Sequence, residues 1–405
     1  MTVLERYLDN IELGGLGTPR AQVARFHGHL DTDALASAYR DLCDAHPILR
    51  SRVIADPAGQ LLSAADRNPP PIRVRDGGDD VLDREARRPW DPAQGVAELL
   101  LIRGQESGYL VLRADIGVVD GRGWTALYYE LWHRYTAIVT GSTPQARTRG
   151  SLPASPAELA AQRWSGPPVS APSNMDRAPI VQLDDRLSPA ETRGIVAAAR
   201  ARGISVTGLV TGIVLISLRT FGTPVAGPAA MVCLTAVDLR QRVTPPVAAT
   251  ETSKFVAWHR ADLQVAHDSD PAALGHTVKR NLEQGIASRQ LPLGYPSLSV
   301  ETPLEQRLAK VVVSNIGVVP DIEHPPDVRI TGWSRIIPFN RPYPLFGVYT
   351  FLDRLHLIAA YPATLFSRVD AAALTYDVTT RLRAIADPFT GLGSRIETAA
   401  SSAHR

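Results

Sequence analysis

Apolar and polar positions recur along this chain in short periods that mark strands and helices. Residues 109–114 form a mostly apolar run of strand length, and residues 124–132 carry Trp124, Leu127, Tyr128, Leu131 and Trp132 at helical spacing. Between them lies the stretch Asp115, Ile116, Gly117, Val118, Val119, Asp120, Gly121. The patterns on either side make it a strand-to-helix turn. Turns of that kind gather catalytic and binding groups, because a rigid strand holds them while the loop exposes them.

The same patterns predict the other elements. Residues 21–29 read as a strand, followed by a helix that Asp31 or Asp33 can cap and that carries Leu35, Ala38, Tyr39 and Leu42 on one face. Pro47 and residues 48–53 lead into the next strand. The Pro- and Asp-rich residues 69–95 read as surface loop, and residues 96–102 with 108–114 as a hairpin feeding the central turn. The helix after the turn extends to about residue 139. Residues 141–179, rich in Pro, Ser, Gln and Arg, read as a linker. Beyond it a strand at 180–183 precedes a helix opened by Ser188 and Glu191, a capping-box pair, with Pro189 at the first helical position. Residues 208–221 are apolar on most sides, which predicts a buried helix. A core strand at 230–237, a strand at 311–317, two strands within 346–361 and a last helix at 369–385 complete the reading, with fraying expected beyond 391.

Composition narrows the class. A chain of 405 residues suggests two or three domains of ~100–200 residues each. Its 43 basic and 41 acidic residues give a net charge of +2, which leaves no electrostatic footprint for nucleic acid or an anionic membrane. Two distant cysteines, Cys43 and Cys233, make no disulfide framework and fit a reducing compartment. The first residues include Glu5, Arg6, Asp9 and Glu12, unlike a signal peptide, and the apolar run at 206–218 is too short to span a bilayer. A soluble cytoplasmic protein without a membrane span is the expectation. No P-loop, no G-x-G-x-x-G after a strand and no G-x-S-x-G elbow is present.

The central turn resembles the HHxxxDG motif of the chloramphenicol acetyltransferase-like superfamily, which includes the condensation domains of peptide synthetases and the PapA5-type acyltransferases. Asp120 and Gly121 match its second half, while Asp115 and Ile116 stand where the two histidines would be. Other segments resemble the family in the same order: His46, Pro47, Ile48, Leu49, Arg50 as HPxLR; Gly203, Ile204, Ser205; Asp238, Leu239, Arg240 with Pro245 and Pro246; and Ser314, Asn315, Ile316, Gly317 as SNxG. The resemblance covers about residues 20–385. It implies an α/β fold of two chloramphenicol acetyltransferase-like lobes forming a V with a tunnel between them. The expected division is an N-terminal lobe at 1–145, a linker at 146–179 and a C-terminal lobe at 180–405. It also implies an acyl thioester on a carrier protein or coenzyme A, a small-molecule acceptor, no cofactor and a monomer. The setting implied is polyketide or peptide natural-product biosynthesis.

The resemblance places the general base at Ile116, whose alkyl side chain takes no proton. Asp115 and His133 are therefore the candidate catalytic residues, Asp115 in the first histidine's place and His133 on the helix after the turn. Against Asp115 stands a blander role, a carboxylate bracing the loop. Asp120 is expected to ion-pair with Arg240, which with Gly121 holds the loop. Trp124 and Asn315 are candidate tunnel residues, each with a packing or capping alternative. His27 and His29 make an incomplete metal site, and no metal is expected. Three functions stay open: acyl transfer with atypical catalysis, another reaction such as a cyclisation in the same tunnel, and a non-catalytic carrier-protein-binding scaffold.

Overall fold

Short capping signals fix many element ends in the computed structural model, which describes residues 3–65, 68–142, 149–166, 178–222, 227–293, 309–337, 339–340 and 343–387. In chain order the elements are β1 (Glu5–Tyr7), α1 (Asn10–Leu13), β2 (Pro19–His27), α2 (Thr32–Ala45), β3 (Arg52–Asp56), β4 (Gly59–Ser63), β5 (Arg73–Asp76), α3 (Asp79–Ala86), β6 (Ala97–Arg103), β7 (Ser107–Asp115), α4 (Gly121–Thr140) and α5 (Pro156–Arg163). They continue with β8 (Ala178–Arg186), α6 (Pro189–Ala201), α7 (Val206–Gly222), β9 (Ala229–Asp238), β10 (Val256–Val265), α8 (Pro271–Ala287), β11 (Lys310–Val318), β12 (Arg329–Ile336), β13 (Phe339–Asn340), β14 (Leu345–Phe351), β15 (Arg354–Pro362) and α9 (Arg368–Ala386). Asp31 caps α2 through the amides of Asp33 and Ala34. Ser188 and Glu191 form a reciprocal capping box at α6.

Two large sheets carry the fold. A five-stranded sheet has the order β12-β2-β7-β6-β5, and a seven-stranded sheet the order β10-β9-β11-β14-β15-β8-β13. A small sheet, β1-β4-β3, sits beside them. Strand β12 comes from the second half of the chain but pairs antiparallel with β2, Arg335 opposite Gln22 and Trp333 opposite Ala24. One continuous core therefore contains Leu110, Leu112 and Trp124 together with Val312, Leu345 and Tyr349. A second core lies between α7 and the outer face of the seven-stranded sheet; Val210, Ile213 and Val214 of that helix are fully buried.

Several segments differ from the sequence reading. Residues 69–95 are not all loop: they contain β5 and α3, and α3 seats Val81 and Ala86 on the outer face of the five-stranded sheet against Leu100, Ile102 and Val111. Its buried positions are few, so the Asp-rich exposed face hides the period. Strand β10, which alternates buried and exposed positions along its length, and β12 are not among the elements that the sequence patterns predict. Within residues 141–179, Ser155 and Pro156 open helix α5, whose neighbour Trp164 donates its indole N–H to Leu291 O at 3.2 Å. The expected fraying beyond 391 lies outside the described residues. Among the described residues no single helix is long and apolar enough to cross a membrane; α6 and the main part of α7 pass only as a pair bent by 96°.

Candidate active site

Strand β7 is buried from Gly108 to its end at Asp115, so it delivers the central turn from a rigid base. The turn is then fixed at both ends by carboxylates. Asp115 is fully buried. Its Oδ2 accepts from Gly17 N at 2.7 Å and Trp90 Nε1 at 3.0 Å, and its Oδ1 from Gly117 N at 2.8 Å. Burial pushes its pKa up, opposed by those three N–H donors and by Lys254. Gly117 passes so close to the backbone of Leu16 that a Cβ there would lie 2.7 Å from Leu16 Cα.

At the other end Asp120 is the N-cap of α4. Its Oδ1 accepts from Arg122 N at 3.1 Å and Gly123 N at 3.0 Å. Its Oδ2 accepts from Arg240 Nη1 at 2.7 Å and Phe255 N at 2.9 Å. The structure thus brings Asp120 and Arg240 together, both nearly inaccessible to solvent. Burial opposes the Arg240 charge, but Asp120 and Asp238 outweigh it and hold its pKa above the usual value. All four bonds to Asp120 hold the loop against the second half of the chain or start the helix, so its carboxylate is an anchor.

A cavity of ≈ 450 Å³ opens beside the turn. Ile116, Asp120, Gly121, Trp124 and Thr125 line one wall, and Val256, Trp258, Val312, Asn315 and Leu345 another. Arg20 on β2, Ala114 on β7 and Arg335 on β12 also line it, so both large sheets contribute. The side chain at the motif's base position, Ile116, reaches this cavity. Asp115 does not, since its side chain faces back into the protein. Nor does His133: its Nδ1 lies 2.7 Å from Glu323 Oε2 on the half-exposed outer side of α4. No histidine lies among the residues described as lining the cavity. Asn315 lines it from an irregular stretch of β11, where its Oδ1 accepts from Gly317 N at 2.8 Å.

The remaining histidines have other surroundings. His46 Nε2 is 2.8 Å from Glu130 Oε2. Burial pushes Glu130 up, but His46 and Arg134 together prevail and bring its pKa to about 2. His27 and His29 are exposed. Among the described residues no three His, Cys, Asp or Glu side chains gather as metal ligands.

Four cationic cavity residues went unnoticed in the sequence: Arg20, Arg122, Lys254 and Arg335. Lys254 is buried and its Nζ donates to Ile11 O at 3.2 Å. An arginine inside a strand pattern, as at 20 and 335, is a signal worth following. Its meaning depends on which strand lies next to it, and spacing does not give that.

Comparison with known proteins finds similar sequences and similar folds. Residues 178–359 match the family described as the C-terminus of phthiocerol/phthiodiolone dimycocerosyl transferase. A transferase of that name from Mycobacterium ulcerans is 26% identical over 367 residues, covering 82% of this chain and 86% of the relative. Polyketide synthase associated protein 5 from Mycobacterium tuberculosis superposes with a TM-score of 0.72 at 20% identity, covering 95% of this chain and 98% of the other. The starter condensation domain of rhizomide synthetase, solved with C8-CoA and Leu-SNAC, superposes with a TM-score of 0.67 at 16% identity, covering 95% and 94%. By these matches the chain shares the fold of polyketide synthase associated protein 5 and of the condensation domains, and its residues 178–359 match the dimycocerosyl transferase C-terminal family, with Asp115 and Ile116 where the resembled HHxxxDG motif has its histidines.

Proposed function

We propose that the chain is an acyltransferase-type enzyme of cytoplasmic polyketide or peptide natural-product biosynthesis. In this reading an acyl thioester, carried by coenzyme A or a carrier protein, enters the cavity and meets a small-molecule nucleophile there. The observation that carries it is the intact loop lock: Asp120 and Arg240 still hold the turn against the second half of the chain, and Ile116 still reaches the cavity. A decayed site has no need of that arrangement. A general base contributes roughly 10²–10⁴-fold, and its loss leaves positioning, worth up to ~7–11 kcal/mol in ideal geometry. Turnover therefore comes from holding two groups together in the cavity. That also favours an intramolecular reaction, in which a folded chain brings its own nucleophile, as the second reading.

Restoring the base tests this. Wild type and Ile116→His are incubated with octanoyl pantetheine thioester and a panel of alcohols and amines. The expected outcome is thioester binding by both and turnover by Ile116→His at least about tenfold above wild type, toward the range a positioned base supplies. Failure of both proteins to bind any thioester would sink the reading.

A further inference from the structure

Strand β9 ends in an acid, Asp238, to which the motif resemblance gives no role. Alternation along the strand turns it to the cavity. Ala236 and Asp238 both line that space, and so do their register partners on β10, Trp258 and Val256. Among the described residues that line the cavity there is no histidine, cysteine, glutamate or tyrosine, so Asp120 and Asp238 are its acids. The arginines and Lys254 that share it are hydrogen-bond donors only.

The two acids differ in what their oxygens do. Both oxygens of Asp120 are committed to four N–H donors. Asp238 commits one. Its Oδ1 accepts from Arg240 N at 3.1 Å and from Arg240 Nη1 at 3.2 Å. The same Nη1 donates to Asp120 Oδ2 at 2.7 Å, so a single guanidinium nitrogen fastens Asp238 beside the turn that carries Ile116. Oδ2 of Asp238 lies 3.7 Å from Arg122 Nε, too long for a hydrogen bond, and no other described residue reaches it. That ion pair is open to water, since the Arg122 side chain is 64% exposed and that of Asp238 34%. It therefore holds Oδ2 weakly. Asp238 thus presents a carboxylate that is oriented through one oxygen and free to accept through the other.

We propose that Asp238 Oδ2 is the proton acceptor of this site, standing in for the missing imidazole from the other wall of the cavity. This rests on the acyl-thioester reading given above, to which it adds a base. As the hydroxyl or amine attacks the thioester carbonyl carbon, its O–H or N–H bond breaks and the proton passes to Oδ2. The new C–O or C–N bond forms and the C–S bond breaks. The departing thiolate takes the proton from Oδ2, which releases a thiol and restores the carboxylate. An aspartate ordinarily titrates near about 3.9 and a histidine near about 6.5, so this base is weaker than the one it replaces and the reaction slower.

The octanoyl pantetheine thioester and the panel of alcohols and amines serve as probes, with affinity read by calorimetry and turnover by thiol release. Asp238→Asn keeps an oxygen for Arg240 and puts an NH2 donor in the place of Oδ2. Its kcat is expected to fall about a hundredfold with thioester affinity unchanged. With Ile116→His supplying an imidazole, the same change is expected to cost less than about threefold. Asp238→Asn turning over as fast as wild type overturns the proposal and leaves the cavity reading standing. An equal loss in both backgrounds does the same, because Asp238 then only fastens Arg240. So does a wild type that binds the thioester and turns over none of the acceptors. Should Asp238→Asn not fold, as judged by circular dichroism, Arg122→Gln decides. It removes the cation at Oδ2 from an exposed position and is expected to raise kcat at least about twofold; no rise overturns the proposal. Wild type that binds no thioester removes the cavity reading and the proposal together.

Discussion

Asp115 and Asp120 close the two ends of one turn, and both commit their oxygens to N–H donors. The ion pair of Asp120 with Arg240 is legible from the motif resemblance, because both residues stand in matching segments. The role of Asp115 is not, since its partners Gly17 and Trp90 are far away in sequence and nothing in their types announces the contact. Bracing and catalysis make opposite forecasts for Asp115→Asn. An amide offers one acceptor where three N–H groups now converge, so at least one donor loses its partner. Urea unfolding is expected to show a loss of roughly 1–3 kcal/mol, with kcat unchanged in the folded variant. A fall in kcat of about a hundredfold with stability intact would instead put Asp115 in the proton transfer.

Among the elements, the amphipathic helices α2, α4 and α6 are legible because a buried stripe and a cap occur together. Strands such as β12 are harder, since Gly332, Ser334 and Arg335 interrupt the apolar run for reasons that lie in a neighbouring strand and a cavity. Strand β15 carries a titratable group with a measurable consequence. His356 stacks on Tyr349 with ring centres 4.6 Å apart. Burial, helped by Arg186 and Arg354, lowers its pKa from 6.5 to about 4. Between those values the unfolded chain binds a proton at this site and the folded chain does not, so folding stability falls as pH drops from 6.5 toward 4. The contribution across that window is on the order of 2–3 kcal/mol. Urea midpoints measured through this range are expected to show a shallower pH dependence in His356→Phe, which keeps the stack and removes the titration. An unchanged slope would place the dependence elsewhere.

For the whole molecule, chain order suggests two successive halves, yet the first sheet is not built from the first half alone. β12 supplies its edge at β2, and Tyr349 Oη on β14 donates to Trp333 O on β12 at 2.7 Å, linking the two large sheets. No periodicity reveals such a crossing, because strand pairing depends on what lies beside a segment in space, and the sequence patterns describe each segment by itself. The crossing has a thermodynamic consequence. Trp333 is buried, in edge-on contact with Tyr349 at 4.8 Å between ring centres, and stacks within the core that both halves share. Removing it opens a cavity at that junction, which costs roughly 3–5 kcal/mol for a buried Trp→Ala change. If the halves were independent, the loss would fall on one of two transitions. Because the core is shared, Trp333→Ala is expected to lower the urea midpoint of a single transition, with tryptophan fluorescence and far-ultraviolet circular dichroism remaining coincident. Two separated transitions, only one of them shifted, would show that the halves unfold separately and that β12 is an appendage to the first sheet.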